Sequence, residues 1–188
     1  MASRPRTLTL RLPDLTVSLA SDAGVFSRGG VDAGTRFLLR RAPRPPLSGD
    51  VLDLGCGYGA IAVTLAMRSP GARVWAVDVN ERAIDLTARN AAAFGCANVS
   101  VALPHDVPAD LRFVALYSNP PVRVGLERLH ALLTLWLDRL LPDGAAHLVV
   151  HRHLGSDSLA RWLAEERFPV ERLASHAGYR ILAVRPRP

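Results

Sequence analysis

Val51-Leu52-Asp53-Leu54-Gly55-Cys56-Gly57-Tyr58-Gly59-Ala60-Ile61-Ala62 decides the fold. Its first four residues are a short apolar run of strand length, and Ala60 to Met67 continues as a helix. Between them Gly55, Gly57 and Gly59 permit a tight strand-to-helix turn and let a ligand approach the backbone where side chains would collide.

Outward from this junction, strands and helices alternate. The pattern predicts strands over 73–77, 98–102, 113–118 and 146–150, with a helix over 81–94 whose Ala83, Ile84, Leu86, Thr87 and Ala91 follow a 3.6-residue period. A long amphipathic helix is expected over 126–141, closed by the turn Pro142-Asp143-Gly144, and another helix over 156–166. Strands over 170–173 and 179–184 stand too close in sequence for a helical crossover, so an antiparallel edge is expected. Upstream, 7–11 and 15–19 alternate apolar and polar about Pro13-Asp14 as a hairpin. Gly24 to Gly30 reads as a glycine-containing loop, then comes a helix with Phe37, Leu38 and Leu39 buried, and Ala42 to Gly49 is a proline-bearing linker. The expected fold is α/β: a doubly wound, Rossmann-like, seven-stranded, mostly parallel sheet with an antiparallel edge strand and a short N-terminal β-hairpin. One domain is expected over 1–188, with 1–49 as hairpin, leading helix and linker and 50–188 as the core.

In such sheets ligands bind beyond the carboxyl ends of the strands. Asp78 ends the second strand 23 residues after Gly55, near the spacing of a ribose-binding acid. The glycine loop also satisfies a G-x-G-x-x-A dinucleotide pattern through Ala60, and Asp78 suits either cofactor, since both carry an adenosine ribose. Asp53, two residues before the first glycine, favours a methyl donor, because its carboxylate could hold the ammonium of a methionine moiety directly or through water.

VLDLGCGYGAIA, WAVDVNERAIDLTARNAAAFG and YSNPPVRVG, with GVFSRGGVDAGTRFLLR upstream, resemble the small-domain class I methyltransferases, including the small-subunit rRNA guanine-N2 methyltransferase C family and its archaeal single-domain relatives. The similarity spans about residues 7–185. It implies S-adenosylmethionine as cofactor, with Asp53, Gly55, Gly57 and Gly59 cradling its methionine part. It also implies Asp78 on the ribose hydroxyls, Val79 alongside the adenine, Asp106 accepting from the adenine amino group and Thr35 lining the donor pocket. Asn119, Pro120 and Pro121 would form the catalytic loop.

The chemistry of that loop also follows from its residue types. An exocyclic base amine is a poor nucleophile, because its lone pair is delocalised into the ring. The Asn119 side-chain oxygen and the Pro120 carbonyl can accept its two N–H groups and aim the lone pair at a sulfonium methyl. Two prolines preorganise those acceptors. The bland reading is a Pro-Pro turn after a strand. The sequence departs from the family at Val122, where many members carry an aromatic that would stack on a base, and at Val114 and Ala115, which replace a common acid. The resemblance also leads to the expectation that the recognition domain preceding the catalytic domain in the bacterial enzymes is represented here only by the hairpin.

The composition fits a globular protein: 49% apolar and 21% charged residues over 188 residues, without a run long enough to span a membrane and without a signal peptide. Cys56 and Cys96 are too few for a disulfide framework or a zinc site, which suits a cytoplasmic location. His151-x-His153 lacks the acids or cysteines that a metal site needs, and no metal is expected. All 23 basic residues are arginine, the formal charge is +6, and an RNA or ribosomal-subunit partner is expected. Arg123, Arg128, Arg139, Arg161 and Arg172 are candidates for phosphate, against a solvated helix face for most of them. The leading function is N-methylation of a base amine in RNA, guanine N2 foremost. The alternatives are glutamine-amide methylation of protein or adenine methylation of DNA, and a non-catalytic donor-binding partner subunit.

Overall fold

A computed structural model describes residues 6–22 and 30–188. In chain order the elements are β1 (Arg6–Arg11), β2 (Thr16–Ser21), α1 (Ala33–Arg41), β3 (Gly49–Leu54), α2 (Ala60–Arg68), β4 (Ala72–Val77), α3 (Glu81–Ala93), β5 (Val99–Ala102), β6 (Phe113–Ser118), α4 (Leu126–Leu137), β7 (Leu140–His151), α5 (Ser156–Glu165), β8 (Val170–His176) and β9 (Tyr179–Val184). Seven strands form one sheet in the order β5-β4-β3-β6-β7-β9-β8. The first five are parallel, and β9 runs antiparallel to both β7 and β8. The expected α/β architecture and its antiparallel edge are therefore present. The glycine loop expected over Gly24 to Gly30 lies, but for Gly30, outside the described residues.

Strand alternation sorts the core into two layers. Val51, Val74, Ala76, Ala115, Tyr117 and Val149 face α1, α2, α3 and the β1–β2 hairpin. Leu52, Leu54, Leu116, Leu148 and Val150 face α4 and α5, with Trp136 and Leu133 fully buried among them. The hairpin buries Leu8, Leu10, Val17 and Leu19 against the first layer. Asn90 of α3 fastens it: its Oδ1 accepts from Ala20 N–H at 2.8 Å, and its Nδ2 donates to Ala20 O at 2.9 Å and Tyr58 O at 2.7 Å. One amide thus joins hairpin, helix and glycine loop.

Two expectations are corrected in the middle of the chain. The long helix stops at Leu137 rather than reaching Leu141, and Pro142-Asp143-Gly144 lies within β7 rather than closing the helix. Sheet pairing takes the disputed residues: Phe113 N–H donates to Arg139 O, and Phe113 stands opposite Leu140. The register then jumps to Ala115 opposite Ala145, so the turn-forming residues are accommodated as a bulge. Gly144 fits there because a Cβ would come within 3.0 Å of Phe113 O.

The parity that builds the core also buries Asp53. Its side chain points towards α2, is fully enclosed, and accepts from Ala62 N–H in the first turn at 2.9 Å through Oδ2, while Oδ1 has no partner. Burial, reinforced by the nearby Asp78 charge, pushes its carboxyl up to about 8 against the opposing hydrogen bond from Ala62. His147 shows the opposite case: burial, with Arg185 nearby, pushes its imidazole down to about 4.

Replacing Asn90 by Ala removes three hydrogen bonds to backbone groups, and is expected to lower unfolding free energy by about 2–4 kcal/mol in urea titration. Between about pH 4 and 6.5 the folded chain carries one proton more than the unfolded chain on Asp53 and one fewer on His147, so their effects cancel. From pH 6.5 to 8 only Asp53 differs; the folded state binds more protons, and stability falls as pH rises, by at most about 1.4 kcal/mol per pH unit. The buried thiols of Cys56 and Cys96 add the same sign only towards pH 9. Asp53→Asn keeps an acceptor for Ala62 and is expected to flatten the melting temperature between pH 6.5 and 8.

Candidate active site

A cleft of about 470 Å³ opens at the carboxyl ends of β3, β4, β6 and β7, where a doubly wound sheet places ligands. Leu54, Gly55 and Gly57 form its floor, Val77, Asp78, Val79 and Asn80 one wall, and Asn119, Pro120 and Pro121 another. Gly55, Gly57 and Gly59 all have positive φ, at 77°, 58° and 87°, a region where side chains are strained. The loop is stitched to β4 by Gly55 N–H on Val77 O at 2.8 Å and by Gly57 N–H on Asp78 Oδ2 at 3.0 Å. Asn80 N–H donates to Asp78 Oδ1 at 3.0 Å. An ionised carboxylate has about four acceptor positions, so Asp78 keeps capacity for a ligand hydroxyl on each oxygen. Val79 is exposed at the rim.

Across the cleft, Ser118 Oγ donates to Leu54 O at 2.6 Å and holds the end of β6 against β3. Pro121, at φ −76° and ψ 70°, centres an inverse γ-turn closed by Val122 N–H on Pro120 O at 2.8 Å. Proline's ring fixes that φ, so the turn is set before any ligand arrives. The Pro120 carbonyl retains its second lone pair.

Asn119 is held from behind. Its Nδ2 donates to Asp32 Oδ1 at 2.8 Å and to Thr35 Oγ1 at 3.2 Å. Asp32 also caps α1 through Thr35 N–H at 3.0 Å. A carboxylate without a proton can only accept, so Asp32 dictates which end of the amide it meets. The Asn119 oxygen is left as the end available to the cleft. Gly34 makes room for this arrangement: a Cβ there would meet the Tyr179 ring at 2.8 Å and Asp32 Oδ1 at 2.9 Å.

Of the residues expected in the site, Gly55, Gly57, Asp78, Val79, Asn119, Pro120 and Pro121 line the cleft. Thr35 does not; it is buried and acts on Asn119. Asp53 sits beneath the loop as the cap of α2. Gly59 is its N-cap position, where a Cβ would meet Thr87 at 3.0 Å. Asp106 is exposed on a single 3-10 turn beside His105, while Pro104 of the same turn reaches the cleft. The Cys56 thiol is buried and shifted well upward by desolvation, unsuited to act as a nucleophile.

The lining residues not expected from the sequence include Asp32, His151 and Tyr179. Only Asp32 left a signal, the Asp-x-x-Thr spacing of a helix cap. His151 and Tyr179 stack edge to face at 4.7 Å between centroids, and place aromatic rings beside Val122, Val124, Leu132 and Leu154. Aromatic rings thus reach the cleft from β7 and from β9, while Val122 itself carries none. Burial and the Asp32 charge keep the Tyr179 phenol protonated to higher pH than usual. The His151 and His153 rings lie 5.2 Å apart, and among the described residues no group of three potential ligands gathers round a metal position. The Arg123 side chain lies outside what the structure describes. Among the described residues no helix is long and apolar enough to cross a membrane.

Comparison with known proteins agrees with this geometry. The family described as "Methyltransferase small domain" matches residues 16–183. The chain is 33% identical over 183 residues to the uncharacterized protein YbxB of Bacillus subtilis, covering 96% of this chain and 91% of that protein. It is 32% identical to the ribosomal RNA small subunit methyltransferase C of Shewanella amazonensis, covering 95% of this chain and 52% of that one. Among solved structures, the T. thermophilus 16S rRNA N2 methyltransferase RsmC, in complex with AdoMet and guanosine, superposes with a TM-score of 0.81 at 27% identity. That match covers 99% of this chain and 52% of the other. The chain therefore spans about half the length of the named rRNA methyltransferases and nearly all of YbxB. With the family match running from the β1–β2 hairpin to β9, the chain belongs to the methyltransferase small domain family and is a methyltransferase.

Proposed function

We propose that the chain methylates an exocyclic base amine in RNA, guanine N2 foremost, with S-adenosylmethionine as donor. The observation that carries this reading is the Asn119 amide, tied by its nitrogen to Asp32 and Thr35 so that its oxygen and the Pro120 carbonyl are acceptors beside the cleft. Two acceptors match the two N–H groups of a base amine and fix its lone pair in one direction. They favour the positive charge that grows on nitrogen as the bond to carbon forms. The rings of His151 and Tyr179 offer a base an aromatic contact worth roughly 1–3 kcal/mol.

The residues present fit the donor. The cleft volume lies in the range of small-molecule sites, and Gly55 leaves open space where a Cβ would stand. Bound there, the donor supplies an electrophilic methyl on a sulfonium, so the protein needs no strong general base. Asp78 takes the ribose hydroxyls and Val79 flanks the adenine. Asp106, on the turn whose Pro104 lines the cleft, accepts from the adenine amino group. The glycine loop receives the methionine part, and Asp53, enclosed beneath it, supports that loop from below by capping α2 rather than by touching the donor. RNA or a ribosomal subunit is the partner, and a cytoplasmic location goes with it.

Transfer of tritiated methyl from S-adenosylmethionine into small-subunit rRNA or isolated subunits tests the reading. Incorporation at guanine N2 is expected; label found only in protein or DNA, or in nothing, contradicts it. Asn119→Ala is expected to lower kcat by roughly 10²–10³ with donor affinity little changed, since it removes an acceptor that works on the transition state. Asp32→Ser keeps a capping oxygen for α1 but loses the reach to Asn119. It is expected to lower kcat about tenfold, with thermal stability near wild type.

A further inference from the structure

A second hollow, of about 390 Å³, lies beside the cleft, formed by the β8–β9 hairpin and the turn after β7. Arg152, Arg172 and Arg180 line it, with Ser175, His176 and the Tyr179 ring. Tyr179 also lines the cleft, so one side chain forms a wall of both. The three arginines come from three segments. Arg172 is on β8, Arg180 on β9, and Arg152 on the turn, whose backbone is anchored by Arg152 N–H on Gly178 O at 2.8 Å. Arg180 pairs with Asp157. Among the described residues, Arg152 and Arg172 stand in no ion pair and both are solvent-exposed.

We infer that this hollow is a phosphate subsite, which takes a phosphodiester of the RNA strand that presents the target base to the cleft. The inference rests on the function proposed above. Like charges gathered round a concave surface repel one another unless an anion is there to be held. Guanidinium is the group whose planar fork fits phosphate oxygens bidentately. Donors from Ser175 and His176 extend the same set. A base seated against Tyr179 on the cleft side brings its own backbone to the far side of that ring, where the arginines stand. The contact carries no base identity. It fixes the register of the strand, so that one nucleotide meets Asn119. This edge of the sheet thus serves as substrate-docking surface within the domain itself.

The test compares wild type with Arg152→Gln/Arg172→Gln and with a charge-matched control, Arg73→Gln/Arg89→Gln. The control removes two exposed arginines from β4 and α3, on the other side of the sheet. Binding of fluorescein-labelled small-subunit rRNA is followed by anisotropy against salt, and methyl transfer by kcat and KM. In the hollow variant, Kd and KM for RNA are expected to rise about tenfold or more. The slope of log K against log salt should become shallower by about 1–2, as for two lost phosphate contacts. Its kcat at saturating RNA and its affinity for S-adenosylmethionine should remain at wild-type values, and the control should shift far less. Wild-type methylation of RNA with an unchanged slope and KM in the hollow variant, or an equal change in the control, overturns the subsite alone. Failure of wild type to bind or methylate any RNA overturns the functional reading and the subsite together. Methyl incorporation into protein, sensitive to the same two arginines, overturns the phosphate assignment.

Discussion

The carboxylate of Asp32 holds the site in one arrangement. With a single oxygen it caps α1 and receives the Asn119 amide, two residues 87 positions apart in sequence. An isolated asparagine at a strand end could present either of its ends to a ligand. Beside an acceptor-only group, the nitrogen must turn inward and the oxygen remains for the cleft. The surrounding residues serve this contact. Thr35 adds a second acceptor, Gly34 leaves space for Tyr179 and for Asp32 itself, and the γ-turn at Pro121 fixes the next carbonyl along. The segment before α1 and the loop after β6 therefore act as one unit.

The opposite wall follows another rule, in which two acids of the same strand parity take different tasks because Asp53 lies within β3 and Asp78 just beyond the end of β4. Asp53 points into the layer beneath α2, is desolvated and caps that helix. Asp78 follows the last residue of β4, stays partly open, and braces the glycine loop through Gly57 while facing the cleft. A dinucleotide reading of the glycine pattern would leave Asn119 and its support without a purpose. The glycine loop locates the pocket, and the proposed chemistry rests on the wall facing it.

Much of this was legible in the sequence, for identifiable reasons. The bounds of Phe113–Ser118 and Tyr179–Val184 are visible in the sequence, because turn-forming residues flank compact apolar runs. The sequence does not mark the end of α4, because Leu140 and Leu141 prolong its apolar period and only pairing with Phe113 reveals that they belong to a strand. In the site, Asp78 and Asn119 to Pro121 reach the cleft as expected, since strand ends fix their position. Asp53 could have been placed correctly by counting alternation from Val51. Thr35 and Asp32 could not, because their meeting with Asn119 depends on how α1 docks against the sheet. The rings of His151 and Tyr179 are likewise brought together by β7 pairing with β9, at a distance the sequence does not encode locally.

A double-mutant cycle on kcat tests the central link most directly, using Asp32→Ser, Asn119→Ala and the two combined, with transfer of tritiated methyl to rRNA as readout. If Asp32 acts through Asn119, the Asp32 substitution costs turnover in the wild-type background and nothing further once Asn119 is Ala. Losses that multiply across the two positions, as for independent sites, would contradict the account.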